Sequence, residues 1–224
     1  MVSTPRGLLL DFGSVITVSL FEQHRQTEAL LGLAAGSLTW LGPIDPSTDP
    51  LWRAMQRDEI TEREYWARRA QEIGRLTGEK DDWDMLTFLT RVRNTNPNAA
   101  VRPQASGAIR AARAAGIRVG ILSNELELFY GKTFLDRFDV LGDIDCIVDA
   151  SHTRILKPSP QAYALGVEAM HLPAERILFV DDQFRNIAGA HEFGLQTQLF
   201  ELRDPAGSYR AVLARLGLNT AALN

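Results

Sequence analysis

The sequence predicts an α/β protein: a doubly wound, mostly parallel, Rossmann-like sheet core with a helical cap insertion after its first strand. Three observations predict it. Short, nearly continuous apolar runs recur along the chain, as strands buried on both faces require. Stretches with helical start and stop signals alternate with those runs. One long segment, residues 18–96, breaks the alternation, with helical patterns but no convincing strand.

The first strand is read in Gly7-Leu8-Leu9-Leu10-Asp11. The insertion follows. Thr61-Glu62-Arg63-Glu64 is a capping box, with Trp66, Ala70 and Ile73 on one helix face behind it. Met85, Phe88, Leu89 and Val92 form a second apolar stripe. Trp40, Trp52, Trp66 and Trp83, all the tryptophans of the chain, fall in this segment, and residues 42–50 read as a loop inside it. The core is therefore assigned to residues 1–17 and 97–224, and the cap to residues 18–96.

The second half resumes the alternation. Pro103 opens a helix with Ile109 and Ala112 on its buried face, and Gly116 ends it. Strands are expected at Ile117–Leu122, Cys146–Val148, Ile177–Val180 and Thr197–Phe200. Between them, Pro160 opens a helix with Ser159 as its N-cap, and Gln183–Phe193 reads as another, stopped by Gly194. A last helix is expected over Ser208–Leu216, from Tyr209, Val212, Leu213 and Leu216.

Composition narrows the function classes. The chain has 224 residues, 45% hydrophobic and 23% charged, enough to bury a full core, which excludes a disordered chain or a coiled coil. No apolar run approaches the roughly 20 residues that span a bilayer. The short Leu8–Leu10 run has no cleavage-like small-residue site after it, which argues against a signal peptide. A net charge of −4 argues against a nucleic-acid or membrane-surface partner. Cys146 is the single cysteine, so no internal disulfide or cysteine-rich metal site exists. A cytoplasmic protein is expected, and nothing in the sequence sets an oligomeric state.

The chemistry-bearing residues collect where an open α/β sheet binds its ligands, at the carboxyl ends of the strands. The first run ends in Asp11, the second in Ser123-Asn124 and the fourth in Asp181-Asp182; Lys157-Pro158-Ser159-Pro160 follows the third. Each has an ordinary reading alone, as turn, cap or solvated loop. Their joint occurrence at one edge points to a site for a cation and an oxyanion together. Asp11 is a candidate nucleophile or hard-cation ligand. Asp181 and Asp182 add charge that a divalent cation would relieve, and all-oxygen ligands favour magnesium over zinc. Ser123, Asn124 and the N–H groups of a helix starting near Glu125 would grip an anion. Lys157 supplies a point positive charge; it is one of only three lysines, with Lys80 and Lys132. The four histidines show no metal spacing. Asp136, Asp139, Asp143, Asp145 and Asp149 read as a solvated face with turns.

Those motifs resemble the haloacid dehalogenase (HAD) superfamily. The matching stretches are residues 8–16, 121–124, 155–160 and 178–182, in order and in register, and the insertion resembles the cap that many members place over the site. The resemblance implies that Asp11 forms a covalent aspartyl intermediate, Ser123 binds phosphoryl oxygens and Lys157 neutralises charge. It implies magnesium on Asp11, on Asp181 helped by Asp182, and on the backbone carbonyl of Gly13. It also exposes a departure. Phosphatases of the superfamily carry a second Asp, an acid–base catalyst, where Gly13 stands; such catalysis contributes roughly 10²–10⁴-fold. The leading expectation is a magnesium-dependent phosphatase of a small phosphorylated metabolite. The alternatives are a haloacid dehalogenase, against which the Asp181-Asp182 pair counts, and a non-catalytic or regulatory protein. The phosphonate-cleaving branch, which uses a cap lysine, draws attention to Lys80.

Overall fold

The computed structural model describes residues 4–79, 83–93 and 96–220. Five strands form one parallel sheet: β1 (Gly7–Leu10), β2 (Arg118–Ser123), β3 (Cys146–Asp149), β4 (Ile177–Asp181) and β5 (Gln196–Leu199), in the order β3-β2-β1-β4-β5. The chain winds outward from β1 through β2 to β3, then returns to β4 on the other side of β1. This reversal makes the carboxyl end of β1 the switch point, where a crevice opens. Register sets what meets there. Leu10 pairs with both Ile121 and Val180, so Asp11 is level with Leu122 and Asp181.

Helices before β2 are α1 (His24–Leu30), α2 (Pro50–Gln56), α3 (Glu62–Leu76), α4 (Met85–Val92) and α5 (Pro103–Ala114). After β2 come α6 (Leu126–Tyr130), α7 (Lys132–Leu135), α8 (Ala150–Thr153), α9 (Pro160–Met170), α10 (Phe184–Phe193) and α11 (Pro205–Arg215). One apolar core lies on the sheet face covered by α5 and α11, built on Leu8, Leu10, Val119, Ile121, Leu178 and Val180. The opposite face packs Leu9, Leu122 and Phe179 against Tyr163, Met170 and Ala190 of α9 and α10. Gly120 lets α9 approach closely, since Met170 Sδ would stand 2.7 Å from a Cβ there.

Residues 21–92 build a third core of their own. The four tryptophans are all buried, and Trp66, Ala70 and Ile73 of α3 pack with Phe88 and Leu89 of α4. Beneath them lies a buried polar network. The Tyr65 hydroxyl donates to Asp49 Oδ2 at 2.7 Å, the Trp52 N–H donates to Oδ1 at 2.8 Å, and the Arg69 guanidinium pairs with the same carboxylate. Among the described residues this segment contains no strand, only an isolated bridge between Leu41 and Asp45.

Details depart from the sequence reading. Ser159 stands at the N-cap of α9, but its hydroxyl bonds Gln161 instead of the helix backbone. The last helix starts three residues before Ser208, at Pro205, capped by Asp204. The 42–50 loop holds a short 3₁₀ turn at Pro46–Thr48. Asp149 is not part of a solvated face. It is buried at the end of β3, and its carboxylate accepts the N–H groups of Leu126, Glu127 and Ser151. Among the described residues no helix is long and apolar enough to cross a membrane.

Candidate active site

The carboxyl ends of β1, β2 and β4 and the loop after β3 bring Asp11, Gly13, Ser123, Asn124, Lys157 and Asp182 around one cavity of about 230 Å³, while Asp181 is not on its wall. Asp11 follows β1, where its backbone N–H donates to Val180 O at 2.9 Å and fixes the side chain at the sheet edge. Lys157 reaches it from the loop before α9. Its ammonium is buried and donates to Asp11 Oδ1 at 2.8 Å and to Asp181 Oδ2 at 2.6 Å. Burial alone would lower the Lys157 pKa, but the two carboxylates hold it well above the ordinary lysine value. Burial pushes Asp11 up to about 7, against the pull of Lys157 and with the repulsion of Asp181 and Glu62.

The paired aspartates have different surroundings. Asp181 is saturated: besides Lys157 it accepts the Gln183 N–H at 2.8 Å and both oxygens accept Asn186 Nδ2 at 3.1 Å. Asp182 is 8% exposed, and among the described residues no hydrogen bond reaches its carboxylate. Burial, then Asp181, Asp11 and Glu62, push its pKa well above the usual carboxylate value. Of the pair, Asp181 is held by core residues and Asp182 lies on the cavity wall. Among the described residues no three His, Cys, Asp or Glu side chains converge into a ready-made cage.

The Ser123 hydroxyl lines the cavity at the end of β2, with no hydrogen bond to a described residue. Asn124 is otherwise engaged. Its Oδ1 accepts the Lys157 N–H at 2.7 Å and its Nδ2 donates to Lys157 O at 3.2 Å, so it clamps the Lys157 loop instead of offering a free amide to an anion. The expected anion grip by the next helix is also corrected: the Leu126 and Glu127 N–H groups already serve Asp149. Gly13 lies in an irregular turn over Phe12–Ile16, with φ −65° and no heavy atom within 4 Å of a built Cβ. The positive φ falls instead on Ser14, whose carbonyl is held by the buried Arg102 guanidinium. Lys80, the lysine of the insertion, lies outside the described residues.

The helical insertion closes the cavity. Glu62, first residue of α3, accepts Asn124 Nδ2 at 2.8 Å and Gln183 Nε2 at 3.1 Å. Arg63 pairs with the buried Glu125 at 3.0 Å, and Arg185 of α10 pairs with Asp58 at 2.6 Å. Trp66, Leu89 and Phe129 add apolar lining to the same cavity. Sequence reading gave Glu62 only a place in a capping box. Its one local signal is that Glu64, and not Glu62, is the residue that box consumes.

The pattern of the haloacid dehalogenase-like hydrolase family matches residues 5–194. Haloacetate dehalogenase H-2 of Moraxella sp. (strain B) is 37% identical over 95 residues, 42% of this chain and 42% of that protein. Phosphatase MT3486 of Mycobacterium tuberculosis is 28% identical over 99 residues, 44% of this chain and 46% of that protein. The matched part thus spans less than half the length of either relative. A crystal structure of the HAD-hydrolase YfnB from Bacillus subtilis, bound to magnesium, superposes with a TM-score of 0.68 at 18% identity, covering 88% of this chain and 87% of that one.

Proposed function

The chain belongs to the haloacid dehalogenase-like hydrolase family, and on that premise we propose that it is a magnesium-dependent phosphatase of a small phosphorylated metabolite, with Asp11 as nucleophile. In this reading residues 18–96 are the cap over a core of residues 1–17 and 97–224, and the lone Cys146 suits a cytoplasmic setting.

The observation that supports it most is the carboxylate excess. One ammonium, Lys157, bonds both Asp11 and Asp181, and a further carboxylate, Asp182, lines the same cavity with no hydrogen bond from a described residue. A divalent cation beside Asp11 and Asp182 would relieve the repulsion between carboxylates that one ammonium leaves. Magnesium is commonly held by one or two carboxylates, with water and phosphate oxygens completing its shell, so no carboxylate cage is required. Asp11, Asp182 and the Gly13 carbonyl would hold it, with Asp181 holding Lys157 in place. Bound there, the cation would screen the charge of the phosphoryl group and of the nucleophile.

The side chains divide the remaining work. Lys157 binds Asp11 Oδ1, which leaves Oδ2 to attack phosphorus in line with the departing oxygen. The Ser123 hydroxyl and the Lys157 ammonium would hold the phosphoryl oxygens. The apolar wall keeps bulk water from the aspartyl phosphate, which one admitted water then hydrolyses.

A second reading, a dehalogenase, draws on the likeness to the Moraxella protein and on Gly13, which places no acid beside the nucleophile. One assay separates the two: phosphate release from 4-nitrophenyl phosphate with magnesium and with a chelator, beside halide release from chloroacetate without metal. Phosphate release only with magnesium is the expected result. Halide release without phosphate release overturns the proposal in favour of the second reading.

A further inference from the structure

Gly13 leaves the nucleophile without an acid from its own turn, and the structure offers another. An in-line displacement places the departing oxygen opposite the attacking one. Asp11 attacks from the sheet edge, so the leaving group emerges toward the helical insertion. Among the described residues of that insertion, Glu62 is the carboxylate on the cavity wall. We propose that Glu62 is the acid–base residue of this site, giving its proton to the departing alkoxide and taking one from the water that follows.

The local structure explains how a side chain from the insertion can be held accurately enough. Glu62 opens α3 directly after Thr61, and Thr61 and Glu64 close the capping box on each other, at 2.7 Å from the Thr61 N–H to Glu64 Oε2 and 3.1 Å from the Glu64 N–H to Thr61 Oγ1. That frees Glu62 from capping and fixes its backbone. Two neutral amides from the core, Asn124 Nδ2 and Gln183 Nε2, then hold its two oxygens, and no Arg, Lys or His among the described residues pairs with it. Its neighbour Glu125, in contrast, is tied to Arg63. Asn124 links the parts: the same amide that touches Glu62 also grips the backbone of Lys157, the cation on Asp11.

The step balances. Asp11 Oδ2 forms a bond to phosphorus while the bond from phosphorus to the leaving oxygen breaks. Protonated Glu62 gives its proton to that oxygen, and the alcohol departs. Water then attacks phosphorus, Glu62 takes its proton, and the bond from phosphorus to Asp11 breaks, releasing phosphate and restoring both carboxyl groups. The inference rests on the phosphatase reading.

The test compares single-turnover cleavage of 4-nitrophenyl phosphate, whose leaving group needs no proton, with that of an alkyl phosphate, whose leaving group does. Parent, Glu62→Gln and Glu62→Gln combined with Gly13→Asp are assayed with magnesium, each shown folded by its melt. Glu62→Gln should slow alkyl cleavage on the order of 10²–10³-fold and nitrophenyl cleavage less than about tenfold. Gly13→Asp, whose Cβ meets no neighbour within 4 Å, should restore alkyl cleavage selectively. Should the glutamine variant fail to fold, Glu62→Asp, which keeps the carboxyl, takes its place and should show the same leaving-group bias at smaller size. Equal slowing of both esters makes Glu62 only a latch for the insertion and overturns the inference, as does no slowing of either. A parent that cleaves neither ester overturns the phosphatase reading and this inference with it, a failure visible before any variant is made.

Discussion

The Lys157 ammonium stands 2.8 Å from Asp11 Oδ1, in a position with 2% side-chain exposure for the lysine. It also bonds Asp181, so one cation holds two carboxylates that would otherwise repel. Lys157→Met removes the cation and leaves the two carboxylates without their counter-charge. Breaking a buried pair costs about 3–5 kcal/mol, so urea unfolding of the metal-free protein near neutral pH should show a loss of that size. A loss under about 1 kcal/mol would mean that the bridge contributes little to the metal-free fold.

Magnesium should stabilise the folded chain alone, since the unfolded chain has no assembled site. At a hundredfold excess over Kd the gain is about 2.7 kcal/mol, or about 5–10 °C in Tm for a chain of this size. Asp182→Asn should abolish that shift and raise the metal-free Tm, because it removes a carboxylate whose charge is disfavoured by burial and by Asp181. An equal magnesium shift in parent and variant would show that Asp182 holds no cation.

The metal-free protein should also respond to pH through Asp11. Its folded pKa is raised from 3.8 to about 7, chiefly by burial. The folded state therefore binds more protons than the unfolded chain between those values. The Asp11 contribution is full below 3.8 and is lost as pH rises to about 7. Stability measured in urea across that range, with chelator present, should fall less steeply with rising pH in Asp11→Asn than in the parent. Identical slopes would mean that Asp11 is not held protonated by its surroundings.

The fold was legible where burial leaves a local mark. Strands β1, β2 and β4 are covered on both faces, and each appears as an apolar run that the sequence shows directly. Helix ends were legible where proline or glycine does the work, as at Pro103 and at Gly194 with its φ of 104°. Ser159 misleads because its hydroxyl has a second partner within reach, Gln161. Asp149 looks like its acidic neighbours in sequence, yet its register opposite Ser123 makes it the anchor for α6. The site shows the same division. Asp11, Ser123 and Asp181 follow strands and are read from them. Glu62 reaches Asn124 across 62 residues and Gln183 across 121, so its place depends on how the insertion docks, which leaves no periodic mark.

The insertion has its own dependence on one carboxylate. Asp49 is fully buried and accepts from Tyr65, Trp52 and Arg69. Asp49→Asn keeps the size but leaves the buried Arg69 with only the half-exposed Glu72 as a charged partner, at a cost of about 3 kcal/mol. Since all four tryptophans lie in this part of the chain, the loss should appear as a lower urea midpoint in tryptophan fluorescence. An unchanged midpoint would mean that Glu72 alone suffices for Arg69.

In the proposed reaction the Asp11 carboxylate attacks phosphorus. Asp11→Asn retains the size and removes the attacking charge, so the most direct measurement is phosphate release from 4-nitrophenyl phosphate by parent and variant, with magnesium, at matched folded concentration. The expected result is turnover by the parent and a rate at background for Asp11→Asn. Equal turnover by the two proteins would contradict it.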